Sequence, residues 1–127
     1  MVFFGSQSSD ISYKDQRSFE ERKKECDRIL QKYPDRIPII VERSSNRNDI
    51  PQIDKKKYLV PGEITWANLI AVIRKRIRIT PEKGLYVFVN GQIVPHSQLV
   101  CQIYQENKNE CGFLFVTYSL ENTFGST

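Results

Sequence analysis

Histidine occurs once in this chain, at His96, which removes most of the chemistry that rests on an imidazole base or ligand. His96 follows Pro95 in a turn-like setting and reads as a surface side chain. No glycine-rich phosphate loop is present, and local spacing implies no Cys-His pair, so the residues show no enzyme. Cysteine is also sparse. Cys26, Cys101 and Cys111 are odd in number, widely spaced and without a Cys-x-x-Cys pair, which argues against a disulfide framework or a zinc site and for buried free thiols. Neither a metal nor a cofactor is implied. No window approaches the roughly 18 uncharged apolar residues of a membrane span. Met1-Val2-Phe3-Phe4 is too short for a signal-peptide core, so the expectation is a chain that starts in the cytoplasm.

What is present is enough for one folded domain: 127 residues, of which 39% are apolar and 11% aromatic, can fill a core of ordinary size. The net charge of +4 is uneven. Residues 1 to 43 sum to +1, residues 44 to 80 to +5 and residues 81 to 127 to −2. A basic middle segment points to a positive face that meets an acidic partner, a phosphate backbone or anionic lipid; a solvated lysine-rich surface explains it equally well.

Residues 1 to 12 contain Gly5-Ser6-Gln7-Ser8-Ser9 and no apolar period, and read as a mobile arm. Ser18 with Glu21 is a capping box, and Phe19, Cys26, Ile29, Leu30 and Tyr33 fall near one helical face before Pro34 stops the helix. Ile37 to Val41 is a β-branched run whose Pro38 must lie near the strand's start or on an edge. Residues Ser44 to Asp54 read as a polar loop, and Lys57 to Pro61 as the second strand of a hairpin. Thr65 caps a helix through Ile77, with Leu69, Val72, Ile73 and Ile77 on one face and Arg74, Lys75 and Arg78 exposed. Leu85 to Val89 runs into Asn90-Gly91, a strong hairpin signal, with Ile93-Val94-Pro95 predicted to turn back as a short strand. Ser97 is predicted to cap a helix bearing Leu99, Val100, Ile103 and Tyr104, and the apolar run Phe113 to Tyr118 belongs in the middle of a sheet. The order is that of an α+β layer with a helix across one face of a sheet, the order of the ubiquitin superfold.

The tail Phe124-Gly125-Ser126-Thr127 has the look of a processing site. Glycine has no Cβ to obstruct a narrow enzyme channel, which suits a carboxylate that passes through thioesters to an amide. Frayed tails of small residues are also common.

Five blocks stand in order along the chain: Tyr33-Pro34-Asp35-Arg36-Ile37-Pro38, Asp54-Lys55-Lys56-Lys57-Tyr58-Leu59-Val60-Pro61, Ile73-Arg74-Lys75-Arg76-Ile77, Phe88-Val89-Asn90-Gly91 and Thr123-Phe124-Gly125. Taken together they resemble, in order and spacing, the GABARAP-type autophagy ubiquitin-like modifiers. The resemblance covers about residues 13 to 125, and the Ile50-Pro51-Gln52-Ile53-Asp54 segment is closer to the LC-three-type branch. It implies a ubiquitin-like β-grasp with an N-terminal helical extension, divided as a flexible arm (1–12), the domain with its helices (13–120) and a flexible tail (121–127) processed after Gly125. It implies cleavage between Gly125 and Ser126 by a thiol protease. E1-, E2- and E3-like enzymes then join Gly125 to phosphatidylethanolamine on autophagosomal membranes. The two acyl chains of that lipid give the stable anchoring that one chain does not.

The resemblance also implies a docking surface, on which an acidic peptide of aromatic-x-x-aliphatic pattern adds as a strand beside the second strand of the hairpin. Its aromatic pocket corresponds to Glu25, Ile29, Pro38, Ile40, Lys57, Leu59 and Phe113, and its aliphatic pocket to Tyr58, Val60, Pro61, Leu69, Val72 and Ile73. Arg17, Lys55, Lys57 and Arg76 match positions that meet the peptide's acidic residues. Leu69, Val72 and Ile73 are equally what any amphipathic helix buries. The arm before Tyr13 is longer and richer in serine than is usual in the family, Gln16 stands where some members carry arginine, and Trp66 and Cys111 depart from the pattern. Partners on this reading are the protease, the conjugation enzymes, cargo receptors with acidic-aromatic motifs and membranes, with no nucleic acid. The alternatives are a module in trafficking or cytoskeleton binding that is never processed, and a basic binder that uses residues 55 to 78.

Overall fold

A computed structural model of the chain describes residues 2–3, 12–44, 50–80 and 82–120. Five strands form one sheet in the order β1-β3-β2-β5-β4. They are β1 (Val2–Phe3), β2 (Arg36–Arg43), β3 (Lys57–Pro61), β4 (Leu85–Val89) and β5 (Leu114–Leu120), with helices α1 (Tyr13–Gln16), α2 (Phe19–Lys32), α3 (Trp66–Ile77) and α4 (Val100–Asn107) between them. β2 and β5 pair in parallel from Ile39 opposite Leu114 to Arg43 opposite Tyr118. All other pairings are antiparallel. The apolar β5 lies inside the sheet, as its composition predicts, because both of its faces are covered.

The period of two along each strand divides the core. On one face Ile39, Val41, Tyr58, Val60, Leu114, Val116 and Tyr118 pack with Trp66, Leu69, Ile73 and Ile77 of α3 and Val100 and Ile103 of α4. On the other, Ile40 and Phe113 pack with Tyr13 of α1 and Cys26 of α2, with Ile29 and Leu30 partly buried against them. Each large side chain so enclosed stabilises the fold by about 1.5–3 kcal/mol. This is a ubiquitin-like β-grasp whose N-terminal helices cover the sheet face that α3 leaves open.

The predicted capping box at Ser18 forms, and the predicted cap at Thr65 is completed to a second box by Asn68. Glu21 N–H donates to Ser18 Oγ at 3.2 Å and Ser18 N–H to Glu21 Oε1 at 2.8 Å. Asn68 N–H donates to Thr65 Oγ1 at 3.2 Å while Thr65 N–H donates to Asn68 Oδ1 at 3.2 Å. Pro38 sits inside the sheet, near the start of β2, without losing a ladder bond. Val41 N–H donates to Lys56 O at 2.7 Å, and antiparallel bonding alternates, so Ile39 and Ile37 bond to β3 and Pro38 does not. Pairing to β5 begins only at Ile39.

Several expectations are corrected. The arm is not without structure throughout, because Val2–Phe3 is strand β1, paired with Leu59 and Tyr58. The remainder of the arm up to residue 11 lies outside the described residues. The segment from 44 to 54 is not simply a polar loop, since Ile50 and Ile53 are buried and the Tyr118 hydroxyl and Arg43 Nη1 donate to the carbonyls of Pro51 and Ile50. Asn90 and Gly91 both take positive φ (51° and 76°), but the return is a lone bridge between Val89 and Gln92, and residues 93–95 form no strand. Ser97 does not cap α4. Its N-cap is Leu99, whose N–H donates to Gln102 Oε1, while the turn at 96–98 satisfies α3, with Trp66 N–H on Gln98 O and Ala67 N–H on His96 O. Phe19, assigned to the apolar face of α2, is 42% exposed.

Candidate peptide-docking edge

The aromatic-pocket residues converge on one sheet face between β3, β2 and α2. Pro38, Ile40, Leu59 and Phe113 are buried, and Ile29, Glu25 and Lys57 are half-buried around them. Lys57 Nζ forms an ion pair with Glu25 Oε2 at 2.8 Å, and the Tyr13 hydroxyl donates to Glu25 Oε1. The Lys57 ammonium also lies 4.8 Å from the Tyr13 ring centroid, within cation–π range. Burial pushes the Tyr13 hydroxyl well above its ordinary value, and the hydrogen bond to Glu25 adds to the shift. Arg17, Glu21, Lys24 and Arg28 join Glu25 and Lys57 around a cleft of about 310 Å³. Glu25, Lys57 and Arg17 are therefore brought together.

The aliphatic-pocket residues meet on the opposite face. Tyr58, Val60, Leu69 and Ile73 are closed within the main core at 0% exposure, with Val72 partly buried against them and Pro61 half-exposed at the end of β3. They form floor more than wall. Around the rim, Arg76 makes a bidentate pair with Asp54, Nε to Oδ1 at 3.1 Å and Nη2 to Oδ2 at 2.6 Å. Lys56 Nζ pairs with Glu42 Oε2 at 2.9 Å. The positive balance of residues 44 to 80 is partly met from outside that segment, by Glu42 on Lys56 and Glu25 on Lys57. Lys55 is half-exposed and Arg17 exposed.

Tyr13 was not legible as a site residue. It stands ahead of the amphipathic period of α2, yet it is 2% exposed, lies edge-on to Phe113 at 5.6 Å between centroids, and its N–H donates to Glu42 Oε2 at 2.8 Å. Asp54 was missed as the partner of Arg76, because charge sign alone does not pair distant residues. Gly125 and Ser126 lie outside the described residues. Among the described residues no group of His, Cys, Asp and Glu is placed to hold a metal ion, and no helix is long and apolar enough to cross a membrane.

The family model described as "Autophagy protein Atg8 ubiquitin like" matches residues 21–125. This chain belongs to the Atg8 family. Autophagy-related protein 8 of Mycosarcoma maydis is 54% identical over 114 residues, which cover 90% of this chain and 96% of that protein. Autophagy-related protein 8 of Schizosaccharomyces pombe is 52% identical over 114 residues, 90% and 93% of the two chains. The crystal structure of Trypanosoma brucei ATG8 superposes with a TM-score of 0.80 at 36% identity, over 89% of this chain and 97% of that one. The Atg8 chain described here is accordingly a ubiquitin-like autophagy modifier with the β-grasp fold.

Proposed function

We propose that the protein is cleaved after Gly125, joined through that glycine to phosphatidylethanolamine on the autophagosomal membrane, and used there to recruit cargo receptors by acidic-aromatic peptides laid along β3. The observation that carries this reading is that the Atg8 match runs through Gly125, leaving Ser126-Thr127 beyond it. The joined lipid supplies two acyl chains, enough to hold a cytoplasmic domain stably on a bilayer. A thiol protease and E1-, E2- and E3-like enzymes carry out the covalent steps, and the chain itself serves as the modifier and not as the catalyst. The peptide-docking part is supported by the cleft between α2 and β3, where Arg17 and Lys57 offer positive charge beside the buried Ile40, Leu59 and Phe113. Within the family, Lys55-Lys56-Lys57-Tyr58 and Tyr33-Pro34-Asp35-Arg36 support the GABARAP-type branch, and Ile50 to Asp54 the LC-three-type.

The test is expression of the full chain and of Gly125→Ala in cells, followed by intact mass and membrane flotation. The wild type is expected to lose Ser126-Thr127 and to float with membranes, and Gly125→Ala to do neither. Flotation of Gly125→Ala at the wild-type level overturns conjugation through Gly125. A wild-type mass that retains Ser126-Thr127 favours an unprocessed interaction module instead.

A further inference from the structure

We infer that the chain's own first strand is a built-in occupant of the docking edge, so that an incoming peptide must displace Val2–Phe3 from β3 before it can add to the sheet. The inference rests on the peptide-docking reading of β3 given above. β1 is the outermost strand, and its partners are Leu59, opposite Val2, and Tyr58, opposite Phe3. These are the central residues of β3, one from each of the two pockets.

The hydrogen-bond alternation makes the competition direct. Ile39, opposite Tyr58, bonds to β3, so Leu59, opposite Pro38, turns its N–H and C=O away from β2 and toward the outer edge. A peptide strand needs those groups, and β1 lies against them. An uncovered edge of this kind invites pairing with any extended chain, and a short strand laid on it is one way a fold guards it.

Magnitude makes β1 a weak competitor more than a seal. Two residues contribute only a few ladder bonds, but the eight residues between Phe3 and Ser12 tether β1 at a local concentration on the order of millimolar. A free peptide sees only the fraction of molecules whose edge is open, and its apparent dissociation constant rises by the inverse of that fraction. With the edge occupied about nine-tenths of the time, release of β1 tightens peptide binding about tenfold.

The experiment compares the full chain with a Val2→Pro, Phe3→Gly variant. Proline removes the N–H opposite Leu59, and glycine lowers strand propensity. A synthetic acidic peptide of aromatic-x-x-aliphatic pattern is titrated calorimetrically into both proteins, and amide hydrogen exchange is followed at Leu59, with Tyr58 and Val116 reporting an intact sheet. Binding about tenfold tighter in the variant, with faster exchange at Leu59 and no change at Tyr58 and Val116, supports the inference. Equal affinities, or equal Leu59 exchange, overturn it. If neither protein binds the peptide, the docking reading falls, and Leu59 exchange alone decides β1: faster exchange in the variant supports its seat on the edge, and unchanged exchange overturns it.

Discussion

Lys57 on β3 and Glu25 on α2 are bound to each other, Nζ to Oε2 at 2.8 Å, across the cleft where an acidic peptide would place its own carboxylate. The cation proposed to greet an incoming anion thus already holds one. Docking on this reading is an exchange of carboxylates, and its net gain is smaller than the charge of Lys57 alone implies.

Glu25→Gln is therefore expected to tighten acidic-peptide binding about two- to fivefold at low salt, an advantage that shrinks as ionic strength rises. The same change is expected to cost about 1–3 kcal/mol of stability, between the surface and buried limits for an ion pair. Lys57→Glu sets two carboxylates side by side and should weaken binding instead. Titrations of the three proteins at two salt concentrations check the signs; a Glu25→Gln variant that binds more weakly than wild type contradicts the exchange.

Tyr58→Ala and Leu59→Ala are expected to fail as clean tests of the pockets, because the two side chains are 0% and 1% exposed and hold the two sheet faces together. Truncation should cost about 3–5 kcal/mol at Tyr58 and about 2–5 kcal/mol at Leu59. Urea unfolding, run before any binding measurement, reads this directly, and a loss under about 1 kcal/mol would place these side chains on the surface of the grooves.

Gly112→Ala is expected to be strongly destabilising for two separable reasons. Gly112 has φ of 106°, which L residues rarely adopt, and a Cβ there would stand 2.6 Å from Cys26 Sγ. Together these should cost about 2–4 kcal/mol. Adding Cys26→Ala removes the sulfur but leaves the backbone strain, so thermal melts of the double variant should show less than the sum of the single losses.

Stability is expected to be flat from pH 6 to 8 and to fall above pH 9. Burial pushes the Cys26 thiol up from 9.0 to about 12, and burial likewise raises Tyr104 from 10.0 to about 12. A group with a raised folded pKa keeps its full stabilising effect below the unfolded value and loses it as pH rises through the window up to the folded one. For Cys26 that window runs from 9.0 to about 12, with a slope of about 1.4 kcal/mol per pH unit. Urea midpoints at pH 8 and pH 10.5 test the slope, and Cys26→Ala should reduce it.

The sequence by itself determined most of the elements and the family. The Ser18–Glu21 box and the Thr65 cap were legible because such short-range chemistry forms where a helix starts; that Asn68 returns a bond to Thr65 was added by the structure. The apolar run from Leu114 was legible as an inner strand because burial on both faces requires apolar residues throughout. Near-misses came where a local signal met a competing partner. Ser97 has a cap's chemistry, but the turn around it serves α3, and Phe19 falls on the helical period of α2 yet stays exposed, outside the cluster that Cys26, Ile29 and Leu30 join.

Only the tertiary structure decided which charges are held and which strand occupies the edge. Lys57 finds Glu25, Arg76 finds Asp54, and Val2 finds Leu59, each across a separation that local patterning does not encode. Ile50 and Ile53 show the same limit, for they lie in a loop of polar composition and are drawn into the core by strands on either side. Charge sign, apolarity and strand propensity say what a residue can pair with; the chain's route through the sheet selects the partner, because closing a long loop is repaid only when many such contacts form at once.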